Sequence, residues 1–154
     1  MKIEDAIQQA QFLDIFHKTH LNVLYTASFI SQQSGLALKP HGISMQQFNI
    51  LRILRGLKNK PATIKVLTER MIDKTSNASR LVDKLLSKGL VDRKECPTDR
   101  RRVDVFITQK GLDLLDLATR DMDTMIRDYW KDLSKEEAEL LSEMLDRVRI
   151  SHHS

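Results

Sequence analysis

A chain of 154 residues, 41% hydrophobic and 30% charged, has the balance of a soluble globular domain with room for added arms. No run approaches the roughly 18 apolar residues of a membrane span, and the acidic start Met1-Lys2-Ile3-Glu4-Asp5 lacks the apolar core of a signal peptide, so a cytoplasmic protein is expected. A single cysteine, Cys96, excludes an internal disulfide and suits a reducing compartment, while a net charge of +4 is too mild to name a partner.

From about Asp5 to Gln33, apolar residues including Ala6, Ala10, Leu13, Leu24 and Ile30 recur at three- and four-residue steps, which predicts a helix. The stretch Gly35 to Gly42, with Pro40 inside, breaks the pattern. Ser44 and Gln47 then form an S-x-x-Q capping box that opens a helix with Phe48, Leu51, Leu54 and Leu57 on one stripe. Gly56 and Asn59-Lys60-Pro61 end it. Thr63 caps a short helix carrying Ile64, Leu67 and Met71. After a turn near Asp73 comes a further helix to Lys88, with Ala78, Leu81, Val82, Leu85 and Leu86 on its apolar face and Gly89 as its stop.

There the period changes. Leu90–Glu95 and Val103–Ile107 read as two strands joined by turn residues Cys96-Pro97-Thr98-Asp99, which makes a hairpin with a basic tip. Thr108 caps the next helix, through Leu112, Leu115, Met122, Ile126 and Tyr129. Ser134 and Glu137 form a second capping box before a last helix with Leu141, Met144, Leu145 and Val148. The predicted order is α-α-α-α-β-β-α-α. Two short helices, a tight turn and a basic hairpin describe a mainly α fold built on a winged helix-turn-helix.

Charge is concentrated in that unit. Lys74 to Arg102 carries nine basic and four acidic residues, a net +5 that exceeds the charge of the whole chain and is the footprint of a polyanion-binding face. With Ala78, Leu81 and Val82 turned inward, Ser76, Asn77, Ser79 and Arg80 point outward, the residue types that read base edges and grip phosphates. A solvated first turn with Ser and Asn as caps is the plain alternative; the basic hairpin that follows favours DNA. In the tip Asp99-Arg100-Arg101-Arg102, three successive arginines on a strand cannot all face one way. An arginine there is placed to enter the minor groove, and Asp99 is expected to hold the turn.

The run Asp73-Lys74-Thr75-Ser76-Asn77-Ala78-Ser79-Arg80-Leu81-Val82-Asp83-Lys84-Leu85, followed by Lys88-Gly89-Leu90-Val91-Asp92-Arg93, resembles the recognition helix and first wing strand of MarR-type regulators. Pro97-Thr98-Asp99-Arg100-Arg101-Arg102-Val103 and Ile107-Thr108-Gln109-Lys110-Gly111 are similar to that family's wing and the start of its next helix. The resemblance implies a single MarR-like domain over 1–154, with a winged-helix DNA-binding lobe at 44–108 and dimerisation helices at 1–34 and 109–150. It further implies a homodimer that reads a pseudo-palindromic operator in double-stranded DNA, most often as a repressor. Thr75, Ser76, Asn77, Ser79, Arg80 and Lys84 are then DNA-binding residues in the major groove, with Arg100, Arg101 and Arg102 on the wing and Arg101 in the minor groove. Many relatives respond to small phenolic or other aromatic acids in a cleft beside the dimer helices, for which Phe16, His20, Tyr25 and Met45 are the candidate lining residues, with ordinary core or dimer packing as the plain alternative for each.

Other chemistry finds few parts. His17 and His20 share a helix face without a Cys or acidic partner at ligand spacing, so no metal site is expected. Cys96 reads as an ordinary thiol beside the wing. There is no G-x-S-x-G, no phosphate-binding loop and no H-E-x-x-H, so neither an enzyme nor a cofactor is expected. The remaining alternative is a winged-helix protein–protein interaction module without effector or operator, against which the basic reading face argues.

Overall fold

The computed structural model describes residues 1–58, 60–96 and 99–150, without the side chains of Cys96 and of Asp99 to Arg102. The expected turn residues Asn59, Pro97 and Thr98 therefore lie outside the described residues. In chain order the elements are α1 (Ile3–Ala6), α2 (Ile15–Leu38), a 3-10 turn (Lys39–His41), α3 (Met45–Gly56), β1 (Ala62–Thr63), α4 (Ile64–Arg70), α5 (Ala78–Ser87), β2 (Val91–Cys96), β3 (Asp99–Ile107), α6 (Gln109–Trp130) and α7 (Lys135–Ile150). They fall into two compact units, residues 1–122 and the segment from Asp123 onward.

The first expected helix is two helices. Gln8 adopts a left-handed backbone with φ 53°, and Asp14 restarts the helix by accepting the His17 N–H at 2.7 Å. At its other end α2 runs through Gly35 to Leu38, burying Ser34 and Leu38. Pro40 sits in the 3-10 turn, where its missing N–H costs nothing, and Gly42 closes the turn at φ 65°.

The caps downstream form as the sequence predicts. Ser44 and Gln47 make the reciprocal box, Thr63 accepts the Val66 N–H, and Ser134 and Glu137 make the second box. Between the first two, α3 buries Phe48, Ile50, Leu51 and Leu54 and packs on α4 and α5, which bury Leu67, Val82 and Leu85. Each such side chain contributes about 1.5–3 kcal/mol of burial. β1 is a two-residue strand that the apolar pattern did not announce. It pairs antiparallel with β3 (Ala62 opposite Val105), giving the strand order β1-β3-β2. The β2–β3 hairpin pairs Val91 with Ile107 and Cys96 with Asp99, with a bulge at Glu95/Cys96. β3 is thus longer than expected, starting at Asp99 instead of Val103.

The end of α5 is locked by the residues just after β3. Gly89, at φ 69°, turns the chain; its N–H bonds the Leu86 carbonyl and the Leu90 N–H bonds the Leu85 carbonyl, with Leu85 and Leu90 both buried. The Thr108 hydroxyl donates to the Gly89 carbonyl at 2.7 Å and accepts the Gly111 N–H at 3.1 Å. Lys110 reaches the Lys88 carbonyl at 2.9 Å. Gly111 gives the Leu90 carbonyl room: a Cβ there would lie 2.1 Å from that oxygen and 2.8 Å from Ile107 Cγ1.

In the second unit α7 buries no residue; Met144 and Val148 of its expected apolar stripe are exposed and Leu141 and Leu145 half-buried. Among the described residues no helix is long and apolar enough to cross a membrane.

Gly111→Ala is therefore expected to cost about 3 kcal/mol, because backbone cannot retreat as a flexible side chain does. Gly89→Ala, where a Cβ would meet only the Lys110 side chain at an ordinary 3.9 Å but the backbone is left-handed, is expected to cost about 1–2 kcal/mol. Denaturant unfolding of the two variants checks the order; equal losses would mean that the Leu90 carbonyl is free to move.

Candidate nucleic-acid interface

The turn before α5 is organised by one carboxylate. Asp73 Oδ1 accepts the Thr75 N–H at 3.0 Å and the Thr75 hydroxyl at 2.7 Å, and Oδ2 accepts the Ser76 hydroxyl at 2.9 Å. These bonds, led by that of the Thr75 hydroxyl, hold its carboxyl below the ordinary Asp value, and a weaker one comes from Gln46. Asp73 is therefore ionised at neutral pH. On the other side of the same segment, the Ile72 N–H donates to Asn49 Oδ1 of α3 at 2.9 Å. Asn77 is the N-cap of α5, its Oδ1 accepting the Arg80 N–H at 3.0 Å.

The plain reading of the first turn, with Ser and Asn as caps, is thus part of the answer. Thr75 and Ser76 spend their hydroxyl protons on Asp73, and Asn77 spends its carbonyl on the helix. What remains toward solvent is the Asn77 NH2, the Ser79 hydroxyl, and the cations of Arg80 and Lys84, all on exposed residues. Gln46, Ser76, Asn77, Arg80, Leu81 and Lys84 together line a shallow polar concavity of about 320 Å³ on this face. Gln46 comes from α3 and was not singled out from the sequence; only its place beside the capping box marks it there.

The basic segment divides by role. Arg93 pairs with Asp83 at 3.0 Å and ties β2 to α5. Lys88 bonds the Gly42 carbonyl and Lys74 the Glu69 carbonyl, so both clamp backbone. Lys94 lies over the Phe106 ring, 5.6 Å from its centre. Among the described residues neither Arg80 nor Lys84 has an acidic partner. The wing candidates Arg100, Arg101 and Arg102 lie on the backbone of β3, and their side chains fall outside the described residues.

A second concavity, of about 410 Å³, opens beside this site. Its apolar wall comes from Ala27 and Ile30 of α2, Met45 of α3, and Met71 and Ile72. Its polar groups are Ser31, Ser34, Gln46, Asn49 and Asp73. Of the four residues expected to line a cleft, Met45 is there. Phe16, 80% exposed, and His20 and Tyr25 sit on exposed positions of α2 and are not among its lining. The α2 side of this concavity comes from Ala27, Ile30, Ser31 and Ser34. Among the described residues no group of three or more His, Cys, Asp or Glu is placed to hold a metal ion.

Comparison with known proteins gives a consistent result. Residues 43–103 match the MarR family. The chain is 33% identical over 122 residues to the HTH-type transcriptional regulator MhqR of Bacillus subtilis, covering 79% of this chain and 83% of that protein. It is 25% identical over 125 residues to the transcriptional repressor MprA of Escherichia coli, covering 81% and 71%. Among solved structures, a cysteine variant of MarR from Escherichia coli complexed with operator DNA superposes with a TM-score of 0.77 at 21% identity, covering 90% of this chain and 99% of that one. The organohalide-sensing regulator RdhR in its 2,4-dichlorophenol-bound form gives 0.82 at 21% identity, covering 91% and 82%. These likenesses establish the mainly helical winged-helix fold.

The N-cap role of Asn77 can be separated from the DNA contact expected of it. Asn77→Ala is expected to lose about 1 kcal/mol of stability, whereas Asn77→Asp keeps the cap and loses less than about 0.5 kcal/mol. Both should weaken duplex binding in a fluorescence anisotropy titration. Unchanged binding by the Asp variant would make Asn77 a cap alone.

Proposed function

The chain belongs to the MarR family, and from that membership we propose that it is a homodimeric repressor that binds a pseudo-palindromic operator and is relieved by a small aromatic effector. The observation that carries the proposal is the outer face of α5. A helix anchored at both ends presents to solvent an amide, a hydroxyl and two cations that have no acidic partner among the described residues. Backbone amides at its N-terminus add positive potential where a phosphate would approach. In this reading residues 44–108 are the DNA-binding lobe and α5 lies in the major groove, with Arg80 addressing a base edge or flanking phosphate. Lys84 then grips backbone, and Arg101, with Arg100 and Arg102 beside it, serves the minor groove.

The arms at 1–34 and 109–150 are assigned to dimerisation. Their support is the apolar surface left open within each unit: Ile15, Phe16 and Leu24 on α2, and Leu140, Met144 and Val148 on α7. A monomer with this much exposed apolar surface is poorly soluble, and a second copy removes it from water. The effector is assigned to the groove lined by Met45 and Asp73, whose volume falls within the roughly 300–1,000 Å³ of small-molecule sites.

Light scattering is expected to return twice the 17.8 kDa chain mass; a monomer mass under native conditions would remove the dimer from the account. Duplex affinity should fall by about three to five orders of magnitude between about 50 and 200 mM salt if on the order of six to ten phosphates are neutralised. Arg80→Ala should cost about 1–3 kcal/mol per half-site and relax preference at one position, while Arg101→Ala weakens binding to operator and scrambled duplex alike. Anisotropy titrations at two salt concentrations distinguish these outcomes, and no loss for either variant would refute the DNA-binding role of this face.

A further inference from the structure

The groove between the last turns of α2 and the start of α3 has one-sided electrostatics. Among the described residues Asp73 is the only ionisable one in its lining, which holds no Lys, Arg or His. Two of its polar groups are already committed to backbone: the Ser34 hydroxyl donates to the Ile30 carbonyl at 2.8 Å, and Asn49 Oδ1 holds the Ile72 N–H. An aromatic carboxylate seated here would bury its charge against apolar wall without a cation, and would face a second carboxylate. A neutral aromatic alcohol meets neither penalty. Its ring takes the wall of Met45, Met71 and Ile30, and its hydroxyl has an acceptor in Asp73.

Resting on the reading of this groove as the effector site, we propose that it selects neutral phenol-class molecules over aromatic carboxylates, with Asp73 accepting the ligand hydroxyl. The same contact gives the ligand a route to the DNA-binding face. Asp73 is the residue that holds Thr75 and Ser76, and Ser76 is the residue before the N-cap of α5. A ligand hydroxyl on Asp73 competes with the Ser76 hydroxyl for Oδ2 and loosens the segment that sets where α5 begins. Gln46 belongs to the lining of both concavities, so a ligand in the groove also touches the wall of the reading surface. The shared residues make binding at the two sites mutually weakening, and by linkage DNA must weaken ligand binding to the same degree.

The test uses 4-methylphenol and 4-methylbenzoate, which share ring and methyl and differ in charge at pH 7. Calorimetric titration of the full-length protein is expected to show the phenol binding about tenfold or more tighter. In Asp73→Asn, where Asn retains the side-chain-to-backbone turn, the difference should shrink to about threefold or less, chiefly by admitting the benzoate. The phenol should weaken duplex binding by wild-type protein and have a smaller effect on the variant. Equal binding of both probes by wild type, or a preference unchanged in Asp73→Asn, would overturn the selection by charge and leave the effector reading standing. Binding of neither probe at millimolar concentration would overturn both. Phenol binding with no effect on duplex affinity would overturn the route through Ser76. None of these results bears on duplex binding without ligand, which tests the DNA-binding function separately.

Discussion

A helix of ten residues is too short to hold itself in water, because nucleation costs more than so few backbone bonds return. The position of α5 is therefore set by what holds its ends. At the N-terminus Asn77 caps it and Asp73 fixes the two residues before the cap. At the C-terminus Gly89 reverses the chain, and Thr108, Lys110 and Gly111 receive the carbonyls of Gly89, Lys88 and Leu90. Between them, Ala78, Val82 and Leu85 are buried. The outer face of α5, proposed to read DNA, is what these three constraints leave over, and that is why it consists of side chains with few other duties.

The same constraint explains two sequence motifs that resemblance alone presents as patterns. In Ile107-Thr108-Gln109-Lys110-Gly111, Thr108, Lys110 and Gly111 meet the turn after α5, and Ile107 pairs with Val91 just beyond it. In Asp73-Lys74-Thr75-Ser76-Asn77, the acid comes first because it must accept from the two hydroxyls that follow. The segment's charge acts partly inside the lobe: Lys74, Lys88 and Arg93 brace backbone or a neighbouring acid. The surface cation density toward a partner is consequently lower than the sequence count suggests. Arg80 and Lys84 remain on α5.

Much of the fold was legible in the sequence because its signals are local. The boxes at Ser44/Gln47 and Ser134/Glu137, the caps at Thr63 and Thr108 and the stop at Gly89 all act within a few residues. The break between α1 and α2 was not legible, since apolar spacing runs on through Ala10 and Leu13 and Asp14 lacks an acidic or amide partner three residues later. β1 was hidden for a different reason: two residues carry no period, and they become a strand only by meeting Val105 and Asp104 from far along the chain. The groove is likewise assembled from three separate stretches, 27–34, 45–49 and 71–73. Of the candidate lining residues Met45 belongs to this groove, and Phe16, His20 and Tyr25 lie elsewhere on α2.

The central claim is that α5, held at both ends, reads duplex DNA as one of a symmetric pair. Selection of binding sites from a randomised duplex pool by the purified protein tests this directly. The account predicts enrichment of an inverted repeat whose half-sites lie about one helical turn apart, or a multiple of it, with Arg80→Ala losing preference at the same position in both halves. Enrichment of a lone half-site, or of no sequence at all, would contradict it.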